Sequence, residues 1–342
     1  MRRFTELSWS WRTTRSRVLS VAAGALATVA SMAAPSQAGT ITFGSGGNTF
    51  NMEFVTIGNT NNLADTTGIP NPAGAVGYEY GLGKFEVSED MITKFNASQS
   101  LQITKDTRGT AKPATGVSWN EAARFVNWLN TSTGNQAAYK FADGSAVNDD
   151  IQLWTSGDAG YDVNNKYRNS LAKYVLPSYN EWYKAAYYNP NNSTYYNFPN
   201  GSDTRPTAVI SGIASNTAVY TQSGEASPSG PADVNLAGGL SPYGVMGLGG
   251  NVFEWEESSF DLANSSGSSS RGARGGDWNA GSSNLSSSSR ASFSSKAEDG
   301  DNFVGFRVAR LSSDAAIPEP SMMVIGMVFG LGGLAAKRRL KK

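Results

Sequence analysis

Apolar residues recur at helical spacing in only three short stretches of the chain. The clearest begins at Ser118, where a Ser-x-x-Glu capping box precedes apolar residues at positions 122, 125, 126 and 129, the spacing of one helix face. A second capping box begins at Ser178, with apolar residues at 182, 185 and 186. A weaker start at Ser88 leads into apolar residues at 91, 92 and 95. The pattern therefore predicts three short helices, each followed by turn residues.

Outside these stretches the pattern is that of loops and short strands. From residue 200 onward the chain is rich in Gly, Ser, Asn and Pro, with brief strand-like runs such as residues 303–309. The chain has 38 Gly among its 342 residues and 11% aromatic residues, which is typical of a loop-rich globular protein and not of a disordered one. We predict one α+β domain over residues 41–311, irregular and low in regular secondary structure.

The N-terminal 38 residues have the pattern of a signal peptide. Arginines precede the apolar run 18–34, and the small residues Ser36 and Ala38 follow it, as at a signal-peptidase site. The mature chain would then begin near Gly39. The alternative is a buried helix.

The C-terminal residues 317–342 have the pattern of a second targeting signal. Pro318-Glu319-Pro320 is followed by the uncharged stretch 321–336 and by a basic cluster at 337–342. Sixteen helical residues span about 24 Å, short of a hydrocarbon core of about 30 Å, unless the basic side chains reach to the surface. Order and spacing resemble the PEP-CTERM sorting signal of Gram-negative bacteria, which implies processing by an exosortase. A plain membrane anchor is the alternative, and either one predicts export to the cell envelope.

The charged residues and two missing residue types exclude several function classes. Of 28 basic and 28 acidic residues, ten and two lie in the two ends, which leaves 18 and 26 in residues 39–316. An acidic domain does not suit nucleic acid as a partner. The chain contains no Cys and no His, so thiolate nucleophiles, Ser-His-Asp relays, zinc ribbons, HExxH zinc sites and histidine-held iron are excluded.

Seven sequence blocks and one further arginine occur in the order and at the spacing found in one enzyme family. They are residues 84–88, 117–122, 176–182, 241–246, 250–255, 274–278, Arg290 and 305–307. These blocks resemble the formylglycine-generating enzyme family, also called the sulfatase-modifying factor domain. The resemblance implies an irregular fold related to the C-type lectin fold, in agreement with the pattern above.

The same resemblance implies a chemistry that this chain lacks. Family oxidases bind copper through a cysteine pair between the Arg-Gly-Gly and Gly-Phe-Arg blocks. Residues 279–295 contain no Cys, and nine Ser lie between 281 and 295. Serine hydroxyls are hard ligands and do not replace thiolates for Cu(I). We therefore expect no copper and no iron.

The family block at residues 250–255 also implies a calcium site. The matching ligands are the Glu254 carboxylate and the carbonyl oxygens of Gly250 and Val252. A side-chain ligand that is usually Asp or Asn falls at Gly247, which weakens the site. Calcium accepts six to eight oxygen ligands, with water among them, so calcium stays a predicted cofactor.

A ligand cleft is predicted where the oxidases hold their substrate. Its candidate residues are Phe253, Asp277, Trp278 and Arg290. The alternative is that Phe253 and Trp278 belong to the core, as do most Trp residues here, and that Arg274, Arg290 and Arg307 form internal ion pairs.

A cluster of Glu254, Glu256, Glu257 and Asp261 suggests a hydrolase carboxylate pair. We prefer the interpretation that Glu254 is the calcium ligand and that the other three face solvent.

These observations favour an exported envelope protein whose domain is a non-catalytic, lectin-like binding or structural module. The expected partners are an exosortase, the membrane before processing, and a cell-surface polysaccharide or protein. The alternative is an enzyme, either a family oxidase or a carboxylate-based hydrolase. Two carboxyl groups facing each other about 5–9.5 Å apart across a cleft would favour the hydrolase.

Overall fold

The structure is a computed structural model, and it describes residues 39–142, 146–296 and 302–312. The chain separates into two units, residues 1–35 and residues 36–342, and every described residue lies in the second. The predicted signal peptide and sorting segment lie outside the described residues. Among the residues that are described, no helix is long and apolar enough to cross a bilayer.

The three predicted helices are confirmed as α1 (Glu89–Asn96), α2 (Trp119–Thr131) and α3 (Tyr179–Tyr187). Both capping boxes form, because the Ser118 and Ser178 side chains accept from backbone N–H groups that the first turn leaves unpaired. The Ser88 hydroxyl accepts from the Met91 N–H at 3.4 Å, which matches the weaker signal at this helix.

Fifteen short strands lie within the described residues. They are β1 (Gly39–Phe43), β2 (Phe50–Ile57), β3 (Tyr80–Gly83), β4 (Lys140–Phe141), β5 (Ile151–Gln152), β6 (Tyr174–Val175), β7 (Tyr188–Asn189), β8 (Thr194–Tyr195), β9 (Thr207–Val209), β10 (Thr217–Val219), β11 (Phe253–Ser259), β12 (Arg271–Arg274), β13 (Ala291–Phe293), β14 (Val304–Gly305) and β15 (Ala309–Leu311). Two short 3₁₀ turns lie at Gly46–Asn48 and Ser282–Leu285. The α+β, loop-rich class is confirmed.

Two sheets organise the domain. An antiparallel sheet has the order β1-β2-β3-β15-β6, and a four-stranded sheet has the order β13-β12-β11-β14. In the second sheet only the β11–β14 pair is parallel. Two-stranded pairs β9–β10, β4–β5 and β7–β8 complete the described architecture.

The strand-like run at residues 303–309 is not one strand. The chain leaves the four-stranded sheet after Gly305 and joins the five-stranded sheet at Ala309. Between them the carbonyl of Phe306 accepts from the Val87 N–H at 2.9 Å. The run therefore links the two sheets, and Val304, Phe306 and Val308 are buried in the main core along the way.

Three tryptophans lie at the centre of the core. Trp119, Trp182 and Trp255 are fully buried. The indole N–H of Trp119 donates to the Glu256 carbonyl at 2.8 Å, and that of Trp255 donates to the Val117 carbonyl at 2.9 Å. Buried indole rings contribute a large apolar area, and their N–H groups are hydrogen-bonded, so they stabilise a fold whose helices and strands are short.

Candidate functional site

Strand β11 carries three of the four predicted carboxylates and is buried on both faces. Glu254, Glu256 and Glu257 each have 0% of their surface exposed. The prediction that Glu256 and Glu257 face solvent is wrong, because each meets an arginine from another part of the chain. Asp261 alone lies at the surface, where it accepts from the Ser259 hydroxyl at 2.6 Å.

Glu256 lies between two arginines. Arg274 donates from Nε to Oε1 at 2.7 Å, and Arg290 donates from Nε to Oε2 at 2.8 Å. Arg290 also donates to the Ser259 carbonyl at 3.0 Å, and Arg274 donates to the Ser289 carbonyl at 2.8 Å. This geometry agrees with the alternative interpretation, in which these arginines form internal ion pairs.

Glu257 and the cap residue Glu181 share one arginine. Arg168 donates from Nε to Oε2 of Glu257 at 2.8 Å, and from Nη2 to Oε2 of Glu181 at 2.8 Å. Burial disfavours the guanidinium charge, but the two carboxylates outweigh it and raise the pKa of Arg168 well above its usual value. Tyr139 completes the set, since its hydroxyl donates to Oε2 of Glu257 at 2.8 Å.

Glu254 forms a bidentate pair with Arg307. Nε of Arg307 lies 2.5 Å from Oε2, and Nη2 donates to Oε1. The Trp182 indole N–H donates to the same Oε2 at 2.7 Å. Both carboxylate oxygens of Glu254 are therefore engaged inside the protein.

Glu86 is a further buried carboxyl beside this pair. Asn251 donates to its Oε1 at 2.9 Å, and its Oε2 has no hydrogen-bond partner within the described part of the chain. Burial raises the pKa of Glu86 to about 7; the Arg307 charge opposes this rise and the Glu254 charge adds to it. Glu86 is therefore the buried carboxyl that takes up a proton near neutral pH.

The predicted calcium ligands do not form an open cation site in this arrangement. The Glu254 carboxylate already holds a guanidinium. Gly247 has a φ of 77°, and a Cβ at this position would overlap the Glu86 carboxylate, so a ligating side chain has no room there. Val252 is buried in a small apolar cluster with Trp278. Among the described residues, no three acidic side chains form a metal-holding group. Calcium stays a prediction.

Phe253 and Trp278, the aromatic pair of the predicted cleft, pack into separate apolar clusters. Phe253 belongs to the main core and contacts Phe293 edge-on, with ring centroids 6.0 Å apart. Trp278 belongs to a small cluster and packs on Phe303 with centroids 4.8 Å apart. The Arg108 guanidinium lies 4.9 Å from the Trp278 ring centroid. Phe253 and Trp278 are 9% and 7% exposed, so neither offers a broad stacking face.

The polar pair of that cleft is also separated. Arg290 is bound to Glu256, whereas Asp277 accepts from the backbone N–H of Asn279 at 2.7 Å. Burial raises the pKa of Asp277, although two backbone hydrogen bonds oppose the rise. Each of the four predicted cleft residues is therefore engaged by a different set of partners.

The buried carboxylates of β11 stabilise the fold through ion pairs with arginines. A hydrolase needs two carboxyl groups that face each other across an open cleft, whereas Glu254, Glu256 and Glu257 are closed in by arginines. Two buried partners, Arg168 and Glu86, were not assigned from the sequence. Glu86 lies in the family-like block 84–88, where a carboxyl residue between apolar neighbours could have indicated a buried charge. Arg168 lies in a polar loop, where no such pattern marks it.

The sequence profile of the sulfatase-modifying factor enzyme 1-like domain matches residues 35–312 of the chain. No curated protein sequence matches the chain significantly.

Two solved structures show the same fold. Treponema denticola variable protein 1 superposes with a TM-score of 0.51 at 18% identity, covering 79% of this chain and 98% of that protein. The crystal structure of CarF superposes with a TM-score of 0.52 at 18% identity, covering 76% of this chain and 98% of CarF. At this identity the likeness concerns the fold alone.

Proposed function

Since the chain belongs to the sulfatase-modifying factor enzyme 1-like domain family, we propose that it is an exported binding or structural module that uses this fold without the family's oxidase chemistry. One observation carries the proposal: the chain has no cysteine. A soft thiolate pair is what holds Cu(I), and no other residue type in this chain supplies it.

The residues that the competing enzyme functions need are either absent from the chain or held in ion pairs. Without histidine there is no ligand set for a non-haem iron site. A carboxylate-based hydrolase is the second alternative, and the ion pairs of Glu256 and Glu257 remove its best candidates from reach of a substrate. The expected ligand is a cell-surface polysaccharide or protein, held by the scaffold without covalent chemistry.

The chemical part of this proposal is tested by an aldehyde assay. We expect the full chain, loaded with Cu(I) and incubated with a cysteine-containing sulfatase peptide, to leave the peptide thiol unchanged by mass spectrometry. A cysteine-containing family oxidase under the same conditions is the positive control. Stoichiometric formylglycine from this chain would overturn the proposal.

The export part rests on the sequence of the two ends. We expect an exosortase to process the C-terminal segment after the chain has been held transiently in the inner membrane, which would leave the domain at or beyond the outer surface of a Gram-negative envelope. Intact-mass measurement on protein from the native host should give a chain from about Gly39 to near Pro318. An exported protein that keeps the basic cluster 337–342 would contradict sorting and favour a plain anchor.

A further inference from the structure

A separate cavity of about 520 Å³ lies between strand β2, the start of helix α1 and the loop around residue 234. None of the β11 residues lines it. Its volume is in the range of small-molecule sites, about 300–1,000 Å³. The cavity is thus a better candidate for a ligand than the closed region around Phe253 and Trp278.

The wall changes from apolar to polar between its buried and its exposed parts. Met52 is buried, Phe85 and Met91 are half-buried, and Asn51 and Asn235 are exposed. The Thr42 hydroxyl donates to Oδ1 of Asn51 at 2.7 Å, which orients that amide. A ligand would therefore meet thioether and aromatic surface inside and amide groups at the opening.

Two carboxylates in the wall are each neutralised by a lysine. Glu53 pairs with Lys84 at 3.0 Å, and Asp90 pairs with Lys94 at 2.7 Å. These side chains are 27–38% exposed, so water reaches them and their oxygens remain open to further hydrogen bonds. Because Glu53 and Asp90 each have a lysine partner, these two carboxylates offer hydrogen-bond acceptors without a strong net field of either sign. A third carboxyl of the wall, Glu86, is buried, and burial raises its pKa to about 7.

We propose that this cavity binds a neutral sugar ring, as one unit of a polysaccharide; this rests on the proposed function of a non-catalytic binding module. A sugar ring has an apolar C–H face and an edge of hydroxyl groups. The half-buried ring of Phe85, which has the Lys84 ammonium 5.1 Å from its centroid, supplies apolar surface for the C–H face. Glu53 and Asp90 accept from hydroxyl groups, and Asn51 and Asn235 both donate and accept. A charged ligand would gain nothing from the paired carboxylates.

The test measures binding of the full chain to an array of neutral and charged glycans. We expect binding to neutral glycans, reduced at least about tenfold in Phe85→Ala, which removes the aromatic face. Ala111→Trp is the second variant: Ala111 lies exposed in the cavity wall, so a large ring there blocks entry without removing a wall group. Phe260→Ala is the matched control, since Phe260 is 43% exposed and lies outside the cavity.

Each outcome decides the proposal. Loss of binding in both cavity variants, with wild-type melting temperatures and an unaffected control, supports it. Neutral-glycan binding that survives in Ala111→Trp, binding of charged glycans only, or no glycan binding by the wild type overturns it. The aldehyde assay on the same preparation judges the proposed function separately, so a wrong ligand class and a wrong function give different results.

Discussion

The region around β11 and the cavity beside β2 both contain carboxylates paired with basic residues, and the pairs differ in partner and in burial. Around β11 the partners are arginines, and the Glu256–Arg274 side chains are 0% exposed. At the cavity the partners are lysines, and the Glu53–Lys84 side chains are 38% and 29% exposed. Arginine makes bidentate, geometrically fixed pairs, whereas lysine is a point charge on a flexible stem.

This difference separates structural charges from those that are available to a ligand. A buried pair whose oxygens are all engaged ties loops together and leaves no acceptor for a substrate. A half-exposed pair contributes little to stability, so its oxygens can exchange water for ligand hydroxyl groups at low cost. A cluster of acidic residues in a sequence does not tell these two cases apart.

The largest expected effect comes from breaking the buried network at Arg168. Arg168→Met leaves Glu181 and Glu257 without their cation, and removing one partner of a buried pair costs about 3–5 kcal/mol. The matched variant Lys84→Met removes one partner of a half-exposed pair and should cost less than about 1 kcal/mol. Urea unfolding of both variants measures the two free energies of unfolding. Equal losses would erase the distinction between the regions.

A smaller loss is expected from Trp278→Ala, which tests the closed aromatic region. Trp278 is 7% exposed and packs on Phe303, so truncation should cost about 3 kcal/mol through lost burial and the space left behind. The melting temperature and the urea midpoint report this loss. A variant that keeps wild-type stability and loses a ligand would instead restore the predicted cleft.

A pH-dependent effect concerns Glu86, which belongs to both regions because it lines the cavity and contacts Asn251. Burial raises the pKa of Glu86 to about 7 from its ordinary value of 4.5, so the folded state keeps a proton that the unfolded chain releases. The stability from this protonated carboxyl is full below pH 4.5 and is lost as pH rises through 7, by at most about 1.4 kcal/mol per pH unit.

Glu86→Gln should remove this pH dependence, because the amide oxygen can still accept from Asn251 and carries no charge. Melting temperatures of wild type and variant, compared from pH 5 to pH 8, should diverge with rising pH in favour of the variant. Parallel curves would show that Glu86 does not hold a proton in the folded state.

The sequence by itself determined the three helices, the fold family and the absence of cysteine. Local signals carry this information: the Ser118 and Ser178 caps need only the residues of their own first turn, and the absence of thiols is a property of composition. The strand-like run 303–309 showed the limit, since its pattern predicted extended apolar chain and not that two sheets would divide it.

Only the tertiary structure decided which charges are buried. Glu256 lies 18 residues from Arg274 and 34 from Arg290, and Glu257 lies 89 residues from Arg168. No local pattern links such distant positions, yet their pairing determines whether a carboxylate is a structural tie or a free acceptor. The cavity likewise joins residues of β2, α1 and the loop around residue 234, because the shape of a site depends on contacts between segments far apart in the chain.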